Sequence, residues 1–207
     1  MRLYKNGREI KTDSSYAVMY AVCIYLIYMR DKPARVFIAV GITEKLQAEI
    51  LEWEKDWQVM PVKWQSGKNL HITLIPPWYE SDVDAVMRLL KNSSGRLAPF
   101  EIEFSRVRFG PHPETPWLIW AEGEPTKEIL ALKQMVEKAT GHKNTFPEPW
   151  KMHITIAKFK EETLHLFPIK KLDQAVSWKQ EVNHVHLMES HEDASGTDYT
   201  LLEEVSI

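Results

Sequence analysis

Two short motifs of one form, His-Ile-Thr followed by an aliphatic residue, place side chains suited to acid–base chemistry at two points in the chain. They begin at His71 and His153, and their threonines are Thr73 and Thr155. Residues i and i+2 of a β-strand project from the same face, so each motif predicts one imidazole beside one hydroxyl. Histidine is the side chain whose ordinary pKa lies near neutrality, which lets it give or take a proton.

Two imidazoles on opposite sides of one phosphorus atom suit an in-line phosphoryl displacement. One takes a proton from an attacking water, and the other gives a proton to the leaving oxygen. The hydroxyls of Thr73 and Thr155 can donate to the non-bridging oxygens as negative charge develops there. Such a reaction requires no metal ion and no cofactor, and its best-matched substrate is a cyclic phosphodiester. The sequence does not assign the acid and base roles; our working hypothesis is that His153 activates the water and His71 protonates the O3′ leaving group.

The two motifs belong to an internal repeat with an offset of 82 residues, which is the separation of His71 and His153. At this offset the segment 36–41 (VFIAVG) falls on 118–123 (LIWAEG), and a helix start at Thr43 falls on one at Pro125. Because strands, helices and motifs share one offset, chance composition does not account for the match. The repeat predicts a duplicated strand–helix–strand lobe, with the two motif strands facing each other across a cleft.

Apolar periodicity and turn residues predict the elements that position the motifs. Strands are predicted at 35–40, 62–64, 70–75, 100–109, 117–121, 152–157, 182–188 and 199–205. Helices are predicted from Thr43 to about Asp56, after Ser81 or Asp82, and from Pro125 to Gly141, with a weaker one at 169–175. Pro76 and Pro77 are expected to end the first motif strand, because neither can donate a ladder hydrogen bond.

The composition is that of an ordinary globular chain of 207 residues, with 44% hydrophobic and 27% charged residues. A formal net charge of −3 argues against a protein that coats nucleic acid through bulk charge, and it leaves room for a local basic cleft. The single cysteine, Cys23, excludes a disulfide framework and favours a reducing, cytoplasmic compartment.

The motifs and their surroundings resemble the signature of the two-histidine (2H) phosphoesterase superfamily, and within it the RNA 2′,3′-cyclic phosphodiesterases, also called 2′-5′ RNA ligases. The resemblance covers residues 34–207 and is carried by KNLHITLIPPW at 68–78, FGP and PWLIWAEG within 109–123, and PWKMHITIAKF at 149–159. Ser190, Gly196 and Tyr199 match a common pattern in the tail. Two departures stand beside it: Lys158 occupies a position where many relatives carry Arg, and IPPWYES follows the first motif.

The resemblance implies an α+β fold that is bilobal, with two pseudo-symmetric lobes whose antiparallel sheets line a central cleft and whose helices lie on the outside. It implies metal-independent hydrolysis of 2′,3′-cyclic phosphate ends of RNA or nucleotides to 2′-phosphates, and the ligation that forms a 2′-5′ bond as the related reaction. His71, His153, Thr73 and Thr155 are then the catalytic residues, with no cofactor. The expected partners are RNA ends or small cyclic nucleotides, and we expect a monomer with no stable membrane partner.

Five further residues are candidates for substrate binding. Trp78 and Tyr79 follow the first motif and could stack on a base, although packing aromatics in a Pro-rich loop are the plain alternative. Lys151 and Lys158 flank the second motif and could attract phosphate, with solvated lysines as the alternative. Arg106 lies on a predicted strand that could line the cleft.

The sequence leaves two other interpretations open. A binding module could keep the cleft and bind RNA without turnover. His184 and His186 share a strand face at the spacing of a metal-ligating pair, which would suit a metal hydrolase, but no carboxylate or third histidine motif accompanies them. Trp117 and Trp120 are expected in the core, and His112, His142, His165 and His191 on surface loops.

Residues 1–30 form an N-terminal extension without an assigned role, and residues 31–207 are assigned to one two-lobed 2H domain. The run from Tyr16 to Met29 is strongly apolar but shorter than the ~20 residues that a membrane-spanning helix needs. The run has three interpretations: a signal peptide or membrane anchor, an extra buried strand or helix, or an upstream extension of the reading frame. No small-x-small cleavage site follows the run.

Overall fold

The computed structural model describes residues 33–112, 114–143, 145, 149–193 and 196–207, together with the backbone of 3–5 and 8–10. The two short N-terminal segments, β1 (Leu3–Lys5) and β2 (Arg8–Ile10), pair as antiparallel strands. The apolar run from Tyr16 to Met29 lies outside the described residues. Within the described part of the chain, no helix is both long and apolar enough to cross a membrane.

The rest of the described chain combines strands with α-helices and short 3₁₀ turns. In chain order the elements are β3 (Ala34–Gly41), α1 (Glu44–Lys55), β4 (Lys63–Trp64), a 3₁₀ turn (Gly67–Asn69), β5 (His71–Glu80), α2 (Val83–Lys91), β6 (Phe100–Gly110), β7 (Leu118–Gly123), α3 (Lys127–Thr140), β8 (Met152–Lys158), a 3₁₀ turn (Glu161–Leu166), β9 (Asp173–Val182), β10 (His184–Asp193) and β11 (Gly196–Ser206). This arrangement confirms the predicted α+β class.

Two antiparallel sheets hold the two motifs. The first sheet has the order β11-β10-β3-β5 and carries the first motif in β5. The second has the order β4-β8-β7-β6-β9 and carries the second motif in β8. Each motif strand therefore belongs to its own sheet, as the bilobal fold predicts.

Side-chain caps determine where the first and third helices begin. The hydroxyls of Thr43 and Thr126 each accept a hydrogen bond, at 3.3 Å, from the backbone N–H three residues later. The helix α3 ends at Gly141, whose φ of 76° is a left-handed conformation that glycine adopts without strain. The predicted start at Thr43 and the predicted end at Gly141 are confirmed.

A shared apolar core anchors both motif strands. Ile72, Leu74, Ile154 and Ile156 are fully buried and belong to one cluster that includes residues of both sheets. Burial of a side chain of this size contributes about 1.5–3 kcal/mol. Because side chains alternate along a strand, this burial turns the histidine and threonine of each motif to the opposite face.

The expectation that Pro76 and Pro77 end the first motif strand is wrong. The strand β5 continues to Glu80. It is an edge strand, and its ladder with β3 is irregular between Val36 and Ile38, opposite the two prolines. An edge position and an irregular ladder are where a sheet tolerates proline, because the missing N–H interrupts no regular pair.

The prediction of a helix at 169–175 is also wrong. A 3₁₀ turn ends at Leu166, and β9 begins at Asp173, whose partner on β6 is Arg108. Along β9 the buried residues Trp178, Gln180 and Val182 alternate with exposed ones. Pairing with β6 and this period of two make the segment a strand.

Candidate active site

The two motifs meet at one cavity. His71 and Thr73 of β5 and His153 and Thr155 of β8 line a space of about 540 Å³. The cavity therefore receives one imidazole and one hydroxyl from each sheet. The charge of His153 also acts on the titration of His71, which places the two rings within electrostatic range of each other.

His71 is held between backbone and aromatic rings. Its Nδ1 lies 2.8 Å from the carbonyl oxygen of Asn69, an acceptor that keeps the proton of the neutral ring on Nδ1. Its Nε2 lies 3.1 Å from Oγ1 of Thr73 and accepts the hydroxyl proton in that tautomer. The rings of Phe37 and Tyr199 lie 4.9 Å and 5.1 Å from the imidazole, centroid to centroid. In this tautomer the unprotonated Nε2 is the nitrogen of His71 that can accept a proton.

Burial lowers the pKa of His71 from 6.5 to about 4. The hydrogen bond to the carbonyl of Asn69 raises this pKa, and the positive charges of His153 and Lys158 lower it. His71 is therefore neutral at physiological pH, and its Nε2 is in the form that accepts a proton.

His153 has a similar backbone contact but different neighbours. Its Nδ1 lies 2.9 Å from the carbonyl oxygen of Lys151, and the indole of Trp120 lies 4.6 Å away between ring centroids. Glu122 is its cross-strand partner between β7 and β8. Burial lowers the pKa of His153, whereas the hydrogen bond to the carbonyl of Lys151 and the carboxylate of Glu122 raise it.

Two lysines add positive charge to the wall of the cavity. Lys151 and Lys158 both line it. Burial lowers the pKa of the Lys158 ammonium, the carboxylate of Glu192 opposes that change, and Lys63 adds to it. A chain of net negative charge thus has a local cationic site beside both imidazoles, as binding of a phosphate requires.

Six aromatic side chains that were not predicted to bind substrate also line the cavity. They are Phe37, His112, Trp117, Trp120, Trp150 and Tyr199. The expectation that Trp117 packs in the core is wrong, because it precedes β7 and its side chain is 49% exposed. The expectation that Trp120 is buried is confirmed. For Tyr199 a signal existed in the sequence, since it belongs to the tail pattern of the resemblance.

The structure does not bring the other three predicted binding residues to this cavity. Trp78 stacks on His142 with ring centroids 4.2 Å apart. Tyr79 is 72% exposed and is not among the lining residues. Nη1 of Arg106 donates a hydrogen bond of 2.6 Å to Oδ1 of Asp173. The cavity gathers the motif residues and the two lysines, and these three side chains make contacts elsewhere.

His184 and His186 share a carboxylate rather than a metal-like ligand set. Their Nε2 atoms lie 3.9 Å and 3.0 Å from the carboxylate of Glu204. Neither lines the cavity of the two motifs. Among the residues that the structure describes, no group of three or more His, Cys, Asp or Glu side chains is arranged to hold a metal ion.

Comparison with known protein families assigns most of the chain to one superfamily. The model of the 2′-5′ RNA ligase superfamily matches residues 44–194, a span that contains both motifs. No curated protein sequence matches the chain significantly.

Solved structures share the fold over nearly their whole length. TT0787 of Thermus thermophilus is 23% identical, with a TM-score of 0.68 over 83% of this chain and 97% of that chain. LigT of E. coli in the apo form is 19% identical, with a TM-score of 0.64 over 84% of this chain and 98% of that chain. LigT complexed with 3′-AMP matches with the same figures. At these identities the likeness establishes the fold.

Proposed function

The chain belongs to the 2′-5′ RNA ligase superfamily, and from this premise we propose that it hydrolyses 2′,3′-cyclic phosphate ends of RNA or nucleotides to 2′-phosphates. One observation carries the proposal: each of two sheets contributes an imidazole and a threonine hydroxyl to the same cavity. General acid–base catalysis of a phosphoryl displacement needs two such proton-transfer groups on opposite sides of the phosphorus.

The proposed step is one in-line displacement. Water attacks phosphorus, a new P–O bond forms, and the bond from phosphorus to O3′ breaks, while the bond to O2′ stays. Nε2 of one imidazole takes the proton from water, and Nε2–H of the other gives a proton to O3′. The product is a 2′-phosphate with a free 3′-hydroxyl. If the 5′-hydroxyl of a second RNA end replaces water, the same step forms a 2′-5′ bond.

The remaining cavity residues have roles in this step. The hydroxyls of Thr73 and Thr155 donate to the non-bridging oxygens, where negative charge builds up in the transition state. Lys158 and Lys151 attract the phosphate into the cavity. Because a lysine ammonium is a point charge, Lys158 supplies attraction without the two parallel hydrogen bonds of an arginine.

The size of the cavity and the ligands of LigT support a nucleotide. A volume of about 540 Å³ falls within the usual range of roughly 300–1,000 Å³ for small-molecule pockets. LigT has been solved in complexes with 3′-AMP and with ATP. A terminal nucleotide of RNA or a free cyclic nucleotide is therefore the ligand we assign to this cavity.

The test is hydrolysis of a 2′,3′-cyclic nucleotide in the presence of excess chelator. We expect the full chain to form the 2′-phosphate, and His71→Ala and His153→Ala each to lower kcat/KM by about 10²–10⁴-fold. His165→Ala is the matched control, because His165 is exposed and does not line the cavity.

Three results would overturn the proposal. Loss of turnover on adding chelator would indicate a metal-dependent reaction. Retained activity in both alanine variants would exclude the paired imidazoles. An inactive wild-type chain that still binds RNA would favour a binding module that keeps the cleft without turnover.

A further inference from the structure

The two halves of the cavity differ at the position directly opposite each catalytic imidazole. Across β7 and β8 the partner of His153 is Glu122, whereas across β3 and β5 the partner of His71 is Gly41. The space over Gly41 is filled by the ring of His186, because a Cβ built there would collide with its Cε1. His153 thus has the carboxylate of Glu122 opposite it, whereas His71 has Gly41 opposite it, covered by the imidazole of His186.

Glu122 is itself held in place. Its carboxylate forms an ion pair with the guanidinium of Arg108, which lies on the neighbouring strand β6. Only 22% of the Glu122 side chain and 32% of the Arg108 side chain are exposed. A partly buried ion pair of this kind limits the positions that the carboxylate can take, and low exposure weakens screening of its charge by solvent.

From this asymmetry we propose that Glu122 is a positioning residue that keeps the proton shared by the two imidazoles on His153. His153 is then the donor to the leaving O3′, and His71 is the acceptor of the proton from water. This inference rests on the proposed function, and it reverses the working hypothesis drawn from the sequence.

The charges near the two rings differ, because a carboxylate acts on His153 and only positive charges act on His71. His153 faces the carboxylate of Glu122 from β7, the ammonium of Lys151 beside it, and His71 from β5. Glu122 raises the pKa of His153, which burial and the ammonium of Lys151 lower. His71 faces two positive charges, those of His153 and Lys158, and they lower its pKa below the value that burial alone would leave. Because only His153 has a carboxylate among the charges that act on it, a single proton in the site is more stable on His153.

The proton balance follows directly. Nε2 of neutral His71 takes one proton from the attacking water, and Nε2–H of protonated His153 gives one to O3′. After the P–O3′ bond breaks, His71 is protonated and His153 is neutral. Transfer of one proton through solvent restores the starting state, so no other reactant is consumed.

A titration of the full chain tests the positioning role without any substrate. We expect the imidazole proton resonance of His153, followed by NMR, to titrate at lower pH in Glu122→Gln and to keep its position in Glu124→Gln. Glu124 is the matched control, because it lies just beyond the end of β7 and is exposed. Glu122→Asp keeps the charge and should restore most of the shift. An unchanged His153 titration in Glu122→Gln would overturn the inference, whatever the chain hydrolyses.

Kinetics with two substrates test the assignment of roles. At pH 8 Glu122→Gln should lower kcat/KM about 10-fold, because protonated His153 becomes scarcer. In a cyclic substrate with sulfur in place of O3′, the leaving group departs without a proton. That substrate should rescue His153→Ala and leave His71→Ala impaired.

The two proposals fail in different ways. Rescue of His71→Ala instead of His153→Ala would overturn the role assignment and keep the hydrolysis. Absence of hydrolysis in the wild-type chain, together with a His153 titration that still depends on Glu122, would overturn the proposed function and keep the positioning role.

Discussion

The hydroxyl oxygen of Thr73 lies 3.1 Å from Nε2 of His71, two residues earlier on the same strand. This hydrogen bond engages the lone pair with which the imidazole would accept a proton. A bound phosphate offers the hydroxyl a charged acceptor, and charge-assisted hydrogen bonds are roughly twice as strong as neutral ones. We therefore expect binding of a phosphate to release Nε2 and to recruit the hydroxyl of Thr73 to the phosphate at the same time.

This relationship predicts how Thr73 variants behave. Thr73→Val keeps the shape of the side chain but removes the donor, and we expect kcat/KM for a 2′,3′-cyclic nucleotide to fall about 10²-fold. Thr73→Ser keeps the hydroxyl and should stay within a few-fold of wild type. Wild-type activity in Thr73→Val, measured by steady-state kinetics, would exclude a role for the hydroxyl.

The pH dependence of the reaction follows from the lowered pKa of His71. A general base must be neutral, and burial keeps His71 neutral down to about pH 4. We therefore expect no loss of kcat/KM through protonation of His71 between pH 6.5 and 5, and a fall only as the pH approaches 4. Steady-state kinetics in buffers of constant ionic strength measure this limb, with circular dichroism as the control for folding. An acid limb centred near 6.5 would contradict the base role of His71.

The aromatic residues that line the cavity predict where the base of a nucleotide binds. Trp117 lines the cavity and is half exposed, so Trp117→Ala should raise KM for a cyclic nucleotide by about 10-fold with little change in kcat, since stacking is worth about 1–3 kcal/mol per base. Trp117→Phe should keep most of the affinity. Tyr79→Ala is the control, because this exposed side chain does not line the cavity. A larger effect of Tyr79→Ala on KM would place the base at the other end of β5.

Strand periodicity explains why the motif residues could be identified from the sequence. The alternation of His71 and Thr73 with buried Ile72 and Leu74 is a local property of one strand, and a period of two determines which side chains share a face. The internal repeat then indicated that the second motif has the same arrangement. Helix caps such as Thr43 can also be predicted from the local sequence, because capping involves residues only three positions apart.

Contacts between distant strands could not be identified in this way. That Glu122 lies opposite His153 depends on the register of β7 against β8, which shifts at an irregularity between Ile119 and Trp120. Local patterns do not specify such a shift. Trp117 falls on the cavity wall because it lies just before β7 begins, a boundary that apolar periodicity located one residue away.

A buried carboxyl group outside the cavity predicts how stability depends on pH. Glu54 of α1 is 5% exposed, its Oε1 has no hydrogen-bond partner among the described residues, and burial raises its pKa from 4.5 to about 7. The folded state therefore resists ionisation of this group more than the unfolded state does. Stability is fully present below the unfolded pKa and falls as the pH rises from about 4.5 through 7.

Glu54→Gln should remove this dependence and increase the free energy of unfolding by about 1–2 kcal/mol at pH 8, with little change at pH 4.5. Urea denaturation at the two pH values measures both effects, and Glu52→Gln on the same helix is the exposed control. Equal stability of Glu54→Gln and wild type at pH 8 would show that the Glu54 carboxylate is solvated in the folded protein.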